Sequence, residues 1–360
     1  MEMAVSPASM ADGRPQIGVI GAGAVGCYVG GRLAASAVAD VTLVGRQWLA
    51  DAILDHGMTL RELDRDDFVH AEDIRFVVDL RAVSSCDVVL CCVKSGDTAN
   101  TAAQLAGILR PDAIVVSLQN GLRNGETLRS HLPQNPVVDA IVDFNVIVRD
   151  HAVFQRTTSG PLTVETRHEP KHQVWVDALR AAGLEVVEVD AIEAEQWTKL
   201  LVNLNNAINA LAGVPTREMI LSRPYRKVVA MLLDEGLDVL EEAGVRPARF
   251  RGVPLRVMSF ILRLPTPIVR LVIAAQLRMD PDARTSMAQD LERRRLTEVD
   301  FLNGEIVGLA ESNSGDAPLN RRIVELIHEA ERAGDGSPNL DAEALLQRIR
   351  PQHAPSTSDG

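Results

Sequence analysis

Short apolar runs alternate with helical segments through the first half of the chain. The runs at residues 16–20, 87–93 and 113–118 are rich in β-branched residues and read as buried strands. A helical stretch of small and apolar residues follows the first run, and another at about 98–109 separates the other two. Strands and helices that alternate in this way are typical of a doubly wound parallel sheet. We therefore predict an α/β domain over residues 15–190.

The pattern changes character near Asp190. From residue 136 to 165 it is mostly strand, and a helix at about 171–182 and the strand LEVVEV follow. Beyond Asp190 it is helical almost throughout. The helical stretches are 191–212, 217–243, 253–278, 284–312 and 318–333. We predict an all-helical second domain at 191–335, with loose tails at 1–14 and 336–360.

Composition narrows the class of protein. A chain of 360 residues with 46% apolar content can bury the cores of two domains. Its formal net charge of −12 and its 3% aromatic content argue against a nucleic-acid-binding surface. The four cysteines, Cys27, Cys86, Cys91 and Cys92, lack the spacing of a metal site. They are expected to be buried thiols of a cytoplasmic protein.

One apolar segment, residues 253–277, is long enough to raise the question of whether it spans a membrane. The residues that interrupt it are Arg256, Arg263, Pro265, Pro267 and Arg270. A spanning helix needs ~20 mostly uncharged apolar residues, so a span is rejected. A packed helical hairpin or an oligomer contact is favoured, which leaves a homodimer open. An interfacial helix is the weaker alternative, and the N-terminus does not have the form of a secretory signal.

A glycine-rich turn follows the first strand and opens the first helix. It comprises Gly21, Ala22, Gly23, Ala24, Val25 and Gly26. Gly21 permits the tight turn, Gly23 lets the backbone approach a pyrophosphate, and Gly26 allows close packing of helix on strand. The helix N-terminus favours the anion. In this context the motif predicts a Rossmann dinucleotide-binding domain, although a glycine-rich turn without a ligand is the simpler alternative.

The residue that follows the second strand selects the dinucleotide. NAD sites usually place an acid there, but this strand ends in Gly45-Arg46, and Asp40 lies at its other end. A guanidinium can pair with a 2′-phosphate that an acid would repel. Arg46 therefore predicts NADPH, with a solvated surface arginine as the alternative.

Two further polar residues lie where later strands end. Lys94 follows the strand at 87–93, and Asn120 follows the strand at 113–118. Ligands of open α/β sheets bind outside the carboxyl ends of the strands. We therefore expect both side chains beside the cofactor. A surface lysine and a turn asparagine are the alternatives.

The stretch WTKLLVNLNN at residues 197–206 gives an apolar helix a polar row. Lys199, Asn203 and Asn206 share one helix face, while leucines and a valine occupy the rest. A polar row in apolar surroundings is costly unless a partner satisfies it. The row therefore either faces water or another helix, or it binds a polar ligand.

The stretch SMAQDLERRRLTEVDFLNGEIV at residues 286–307 lies within the predicted helix at 284–312. Its charged run at 290–295 reads as a solvated face. Ser286 and Glu298 lie outside this charged run, so a solvated face does not explain them.

These motifs, taken in order, resemble the ketopantoate reductase family over about residues 16–330. They are GAGAVG, the Arg46 strand end, CVKS, QNG, WTKLLVN, and SM-x-QD followed by TE-x-D-x-LNG. The resemblance implies reduction of 2-dehydropantoate to D-pantoate with NADPH, in pantothenate synthesis. It also implies a helical domain similar to that of 6-phosphogluconate dehydrogenase.

The resemblance assigns the polar row to catalysis. Lys199 would be the general acid, because hydride delivery to a ketone builds negative charge on oxygen. Partial desolvation would lower the pKa of a lysine towards a useful range. Asn203 and a further asparagine, here Asn206, would bind the substrate's distal hydroxyl. The substrate and Glu298 together would satisfy the row.

The remaining roles follow from the same resemblance. Ser286 would hold the substrate carboxylate, and Glu298 would contact cofactor and substrate hydroxyl. Asn120 would position the carbonyl and the nicotinamide, with Lys94 beside them. Val146 would touch the cofactor through its backbone.

The chain also departs from the family pattern. The position four residues after Asn203 is Ala207, Asn206 lies one residue earlier, and Thr216 replaces a later asparagine. Two alternatives therefore stay open: an NADPH-dependent reductase of another 2-keto acid, and an NADP-binding regulator without catalysis.

Overall fold

A computed structural model describes residues 13–62, 65–149, 152–272 and 283–349. Its first half contains all the strands of these residues, arranged in two sheets with helices between and around them. The strands are β1 Gln16–Ile20, β2 Asp40–Val44, β3 Met58–Arg61, β4 Asp66–Val69, β5 Arg75–Val77, β6 Val88–Cys91, β7 Ile114–Ser117, β8 Val137–Val142, β9 Val146–Arg149, β10 Val153–Arg156, β11 Leu162–Glu165 and β12 Val186–Val189. The helices of this half are α1 Ala24–Ala35, α2 Gln47–His56, α3 Thr98–Leu105, α4 Asn124–His131 and α5 Pro170–Ala181.

The larger sheet has eight strands in the order β12-β11-β8-β7-β6-β1-β2-β5. Six of them are parallel, and β11 pairs antiparallel with β8, so β11 and β12 run opposite to the rest. β6 and β7 are buried along their whole length because helices cover both faces of the sheet. This confirms the predicted doubly wound sheet and adds an antiparallel edge to it.

A smaller sheet, in the order β4-β3-β10-β9, covers the outer side of α1. Gly31 of α1 lies against Met58 and Leu60 of β3, where an added Cβ would approach Met58 Sδ to 2.5 Å. The small residues of α1 therefore let this helix fit between the two sheets.

The second half is helical. Its helices are α6 Ile192–Asn203, α7 Asn205–Ala212, α8 Thr216–Leu221, α9 Arg223–Glu242, α10 Leu255–Arg263, α11 Thr266–Val272, α12 Ser286–Glu292, α13 Asn303–Ser312, α14 Pro318–Ala333 and α15 Ala342–Ile349. Their apolar faces form one core, centred on α7, α9, α13 and α14. Together the two halves confirm the predicted fold class.

The helix predicted over 284–312 is wrong in its middle. α12 ends at Glu292, and α13 starts only at Asn303. Arg294 has a φ of 54°, and the Arg295 amide donates to the Asp290 carbonyl at 2.9 Å. This left-handed residue and its back-bonded neighbour close a helix C-terminus. Glu298 therefore lies in a connecting turn and not on a helix.

The prediction of a loose tail at 336–360 is wrong for residues 342–349. There α15 buries Ala342, Leu345 and Ile349, a helical face of three- and four-residue spacing, in the core of the helical domain. Asp341 caps the helix by accepting the Glu343 and Ala344 amides at 3.0 and 2.8 Å. Residues 350–360 and the tail residues 1–12 lie outside the described part.

The segment at 253–277 forms two short helices, α10 and α11, up to residue 272. α10 packs on α9, and Arg256 and Arg263 pair with Asp238 and Asp234 of α9, at 2.6 Å each. The segment therefore packs against α9 and α8 as far as Val272, while its arrangement as a hairpin stays a prediction. Residues 273–277 lie outside the described part. Among the helices of the described residues, none has the length and apolar character to cross a bilayer.

Replacing Leu345 with alanine should lower the free energy of unfolding by about 2–5 kcal/mol, because it removes a fully buried side chain from the core. Chemical denaturation followed by circular dichroism would measure this loss. The control is Gln347→Ala on the exposed side of α15, which should change stability by less than about 0.5 kcal/mol. Equal stabilities of the two variants would contradict the place of α15 in the core.

Candidate active site

The glycine-rich turn connects β1 to α1 at the carboxyl end of the sheet. The Gly21 and Ala22 amides donate to the Val44 carbonyl at 3.1 and 3.0 Å, which ties the turn to the end of β2. Gly21 has a φ of +80°, and a Cβ there would come within 2.5 Å of the Val93 nitrogen. Only glycine fits this position without strain.

The other two glycines differ in what surrounds them. A Cβ on Gly26 would come within 2.7 Å of the Gly21 carbonyl oxygen, so this glycine serves helix–strand packing. A Cβ on Gly23 would meet nothing closer than 3.8 Å. No contact within the protein therefore requires glycine at position 23. A glycine there is consistent with space that is needed for a ligand.

Arg46 lies two residues beyond the end of β2 and is the N-cap residue of α2. Its side chain is exposed, and within the described ranges no carboxylate lies within 4.0 Å of its guanidinium. The next acid along the chain, Asp51, accepts a hydrogen bond from Gln47 at 2.8 Å. Asp40 pairs with Arg14 at 3.3 Å at the start of β2. The end of β2 is thus free to receive an anionic group.

Lys199 lies on α6, where the helical domain meets the end of β8. Its ammonium donates to the Val142 carbonyl at 3.1 Å and lies 3.3 Å from Asp143 Oδ1. Burial lowers the pKa of Lys199 below its usual value, and the neighbouring Asp143 carboxylate works in the opposite direction. The group is therefore a lysine that releases its proton more readily than an exposed one.

Lys199 opens onto a small cavity between the two domains. The cavity is lined by Gln119, Asn120, Gly121, Ile141, Val142, Gln196, Lys199, Leu200, Asn203 and Leu302. Three predicted site residues, Lys199, Asn203 and Asn120, thus meet around one space. That space measures about 10 Å³, roughly enough for one water molecule. A keto acid can enter only if the surrounding side chains or the two domains move apart.

Asn206 and Ser286 do not line this cavity. α6 ends at Asn203 and α7 begins at Asn205, so the polar row is interrupted at Leu204. Ser286 is the half-buried first residue of α12. Its neighbour Thr285 bonds Asn209 Oδ1 at 3.1 Å and thereby ties the start of α12 to α7.

Lys94 and Glu298 lie at the domain interface and contact protein groups there. Lys94 pairs with Asp290 at 2.8 Å and donates to the Leu296 carbonyl at 3.0 Å. Glu298 Oε1 accepts the Ser95 amide and contacts Ser95 Oγ, both at 3.0 Å. The expectation that Glu298 satisfies Lys199 is therefore wrong in this structure, because the lysine takes Asp143 instead.

A buried network of polar side chains holds the backbone carbonyl of Asn120 in place. Asn124 Nδ2 donates to the Asn120 carbonyl at 2.6 Å, and Thr98 Oγ1 donates to Asn124 Oδ1 at 2.8 Å. Gln119 Nε2 donates to Thr98 Oγ1 at 2.7 Å. Ser95 Oγ lies 2.7 Å from the same Asn120 carbonyl. Buried polar groups that are mutually satisfied hold a single geometry, so the cavity wall is rigid here.

Two residues of this region are absent from the sequence prediction. Asp143 directly follows β8, and Ser95 directly follows Lys94. The strand-end argument that selected Lys94 and Asn120 applies equally to Asp143, so the signal was present. Val146, the first residue of β9, is buried in the core of the first domain, and its predicted backbone contact to the cofactor stays a prediction.

A second, larger cleft of about 560 Å³ adjoins the cavity through Gln196. It contains none of the predicted site residues. Two of its arginines pair with carboxylates of the same cleft, Arg123 with Glu305 at 2.9 Å and Arg129 with Asp139. Burial raises the pKa of Glu305. The cleft lies between the two domains. Because no predicted site residue lines it, the smaller cavity at Lys199 remains the candidate active site.

A glycine-rich turn after β1, together with a desolvated lysine that lines an interdomain cavity, is typical of a dinucleotide-dependent oxidoreductase. The comparison with known families gives the particular one. The family "Ketopantoate reductase PanE/ApbA" matches residues 17–169, and "Ketopantoate reductase PanE/ApbA C terminal" matches residues 191–331. The chain therefore belongs to the ketopantoate reductase family.

Individual relatives agree with this assignment. The 2-dehydropantoate 2-reductase of Halobacterium salinarum is 29% identical over 88% of this chain and 99% of its own. A PanE/ApbA family ketopantoate reductase from Ralstonia eutropha has a similar structure, with a TM-score of 0.75, 30% identity, and coverage of 89% and 99%. D-mandelate dehydrogenase with NADH and anilino(oxo)acetate, at 19% identity, a TM-score of 0.73 and the same coverage, shows the shared fold alone.

These findings confirm the predicted family, the enzyme class and the cofactor, since ketopantoate reductases are oxidoreductases that use NADPH. They leave the role of each site residue as a prediction.

Replacing Gly23 with alanine should weaken NADPH binding by roughly tenfold or more while the thermal midpoint stays unchanged, because the methyl group meets only the ligand space. Fluorescence titration with NADPH and thermal unfolding would measure the two effects. The matched variant is Gly21→Ala, which should lower the thermal midpoint through its positive φ and backbone clash. Unaltered NADPH affinity in Gly23→Ala would remove the phosphate-binding role from this turn.

Proposed function

We propose that this protein reduces 2-dehydropantoate to D-pantoate with NADPH, and that Lys199 donates the proton. The observation that supports this most directly is the position of Lys199. Its ammonium faces the same cavity as Asn120 and Asn203, at the carboxyl edge of the sheet that carries the glycine turn. The proposal places the reaction in pantothenate synthesis in the cytoplasm.

The chemistry required of the protein is proton donation beside a reacting carbonyl. When bound, NADPH supplies the hydride, and the ketone oxygen gains negative charge as its carbon is reduced. An ammonium within hydrogen-bond distance stabilises that charge and transfers a proton to it. Because burial lowers the pKa of Lys199, the transfer is easier than from an exposed lysine.

The neutral amides around the cavity suit a hydroxylated keto acid. Asn203 is one helical turn from Lys199 and can bind a substrate hydroxyl without adding charge. Asn120, held by its buried network, can orient the carbonyl and the nicotinamide. Ser286 is proposed to hold the substrate carboxylate, Asn206 to assist Asn203, and Lys94 and Glu298 to contact the cofactor once the domains part.

The choice of NADPH is proposed to depend on Arg46. Arg46 lies just beyond the end of β2, where a 2′-phosphate would lie next to the glycine turn. A guanidinium can bind such a phosphate through two hydrogen bonds.

A reductase of another 2-keto acid is the second candidate. Ala207 is fully buried at a position where the family pattern has an asparagine, and Asn206 does not line the cavity. Both observations change the groups available to the distal end of the substrate. Initial rates on a panel of 2-keto acids decide between the candidates, since a much higher kcat/KM on another acid would displace 2-dehydropantoate.

A homodimer is proposed as the assembly. Phe260 of α10 and Leu271 of α11 are 63% and 81% exposed. Exposed apolar side chains on one hairpin favour contact with a second copy.

Lys199→Ala should lower kcat by about 10²-fold or more, because the developing alkoxide loses its proton donor. NADPH consumption with 2-dehydropantoate measures the rate, and fluorescence titration checks that NADPH still binds. Lys171→Ala, at a surface lysine paired with Asp112, is the control and should retain full activity. A Lys199→Ala enzyme as active as the control would refute the proposed proton donor.

Arg46→Ala should raise the KM for NADPH by roughly 10- to 100-fold and leave the KM for NADH nearly unchanged, because only the 2′-phosphate loses a charged partner. Steady-state kinetics with both cofactors would show the change in preference. Equal increases in both KM values would point to damage of the turn and contradict the selective role.

A further inference from the structure

We propose that Asp143 is a positioning residue for the reaction, which holds the Lys199 ammonium at the cavity and keeps it protonated. This inference depends on the proposed function, because it assigns a task to the partner of the proposed proton donor.

Asp143 meets Lys199 across the domain interface. The carboxylate follows β8 of the first domain, the lysine belongs to α6 of the second, and Oδ1 and Nζ are 3.3 Å apart. Their side chains are 27% and 22% exposed, so the pair is largely shielded from water. A shielded ion pair is screened less by solvent and salt than a surface pair.

The backbone around Asp143 is fixed. Its amide donates to the Pro161 carbonyl at 3.0 Å, and Thr163 Oγ1 lies 3.4 Å from Oδ2. Gly160 packs so closely that a Cβ there would clash with the Asp143 carbonyl oxygen. The carboxylate therefore presents Oδ1 to the lysine from a defined position, and the Val142 carbonyl beside it supplies the second acceptor.

Three charged groups act on the Lys199 ammonium or on its partner. Asp143 favours the ammonium, whereas Arg251, in the turn before α10, disfavours it. Glu195, one turn earlier on α6, has its pKa raised by burial and by the charge of Asp143. Burial itself also disfavours the ammonium. Asp143 is therefore the charge that opposes both burial and Arg251.

The consequence concerns the pH range in which the enzyme works. A general acid is active only while it is protonated, so kcat/KM falls on the alkaline side as Lys199 loses its proton. Removing the negative charge of Asp143 lowers the pKa of Lys199. The alkaline limb should then move to lower pH.

Asp143→Asn tests this directly, because the amide keeps the shape of the side chain and an acceptor for Thr163. We expect the alkaline limb of kcat/KM, measured over roughly pH 6 to 11, to move to lower pH by roughly one to three units. Asp143→Glu retains the charge and should keep the limb closer to the wild-type position. Thermal unfolding of each variant separates this effect from a loss of folding.

Asp112→Asn is the matched control. It removes the same charge from another Asp–Lys pair, Asp112 with Lys171 at 2.7 Å on the surface of the first domain. Its pH profile should equal that of the wild type. A uniform loss of rate in Asp143→Asn with an unmoved alkaline limb would reduce Asp143 to a structural residue and overturn the inference.

The two proposals fail in different ways. If Lys199→Ala retains full turnover, Lys199 is not the proton donor and the function proposed above fails with it. If Lys199→Ala is inactive while the alkaline limbs of Asp143→Asn and wild type coincide, only the inference about Asp143 fails.

Discussion

The site depends on the burial of one ammonium group between two domains. Lys199 lies against the Val142 carbonyl and Asp143, so α6 is docked onto the end of β8. A buried charge without partners would cost several kcal/mol, whereas these two acceptors satisfy it. The contact joins the two domains. Burial at this interface lowers the pKa of Lys199, and the Asp143 carboxylate partly offsets that shift.

The parallel sheet brings the other parts of the site to the same edge. In the order β8-β7-β6-β1, the strands end beside Asp143, Asn120, Lys94 and Gly21. These residues are far apart in sequence but adjacent in space, because parallel neighbours all point their carboxyl ends the same way. The Rossmann domain therefore supplies the strand-end residues of the site, and the helical domain supplies Lys199 and Asn203 on the other side of the cavity.

The interface is polar on both sides of the cavity. Lys94 pairs with Asp290 of α12, and Ser95 bonds Glu298 in the turn between α12 and α13, so both connect the end of β6 to the helical domain. Lys94 and Glu298, which are predicted to bind ligand, thus each contact a protein group of the other domain. Desolvation raises the pKa of Asp290 and the lysine opposes it, so the contact depends on keeping both partners together. Such contacts can be exchanged for ligand contacts at low cost, since each polar group keeps a partner in either arrangement.

Several features could be read from the sequence because they depend on neighbouring residues. The glycine turn, the buried strands, the polar row on α6 and the strand-end positions of Lys94 and Asn120 are set by backbone sterics and by side-chain periodicity. The same kinds of signal exist at Asp143, which directly follows β8, and at α15, where Asp341 caps an amphipathic helix. The end of α12 at Glu292 was harder to predict, because it depends on the positive φ of Arg294, and arginine is not a residue type that indicates a left-handed conformation.

Only the tertiary structure decided which groups became partners. Lys199 pairs with a residue 56 positions earlier in the chain, and Glu298 binds a residue 203 positions away. The sequence therefore indicated that the Lys199 ammonium and the Glu298 carboxylate lie near the edge of the sheet. It did not indicate that Lys199 pairs with Asp143 and Glu298 with Ser95. That outcome depends on how the helical domain docks on the sheet, which is the sum of many packing contacts and not a property of any local stretch.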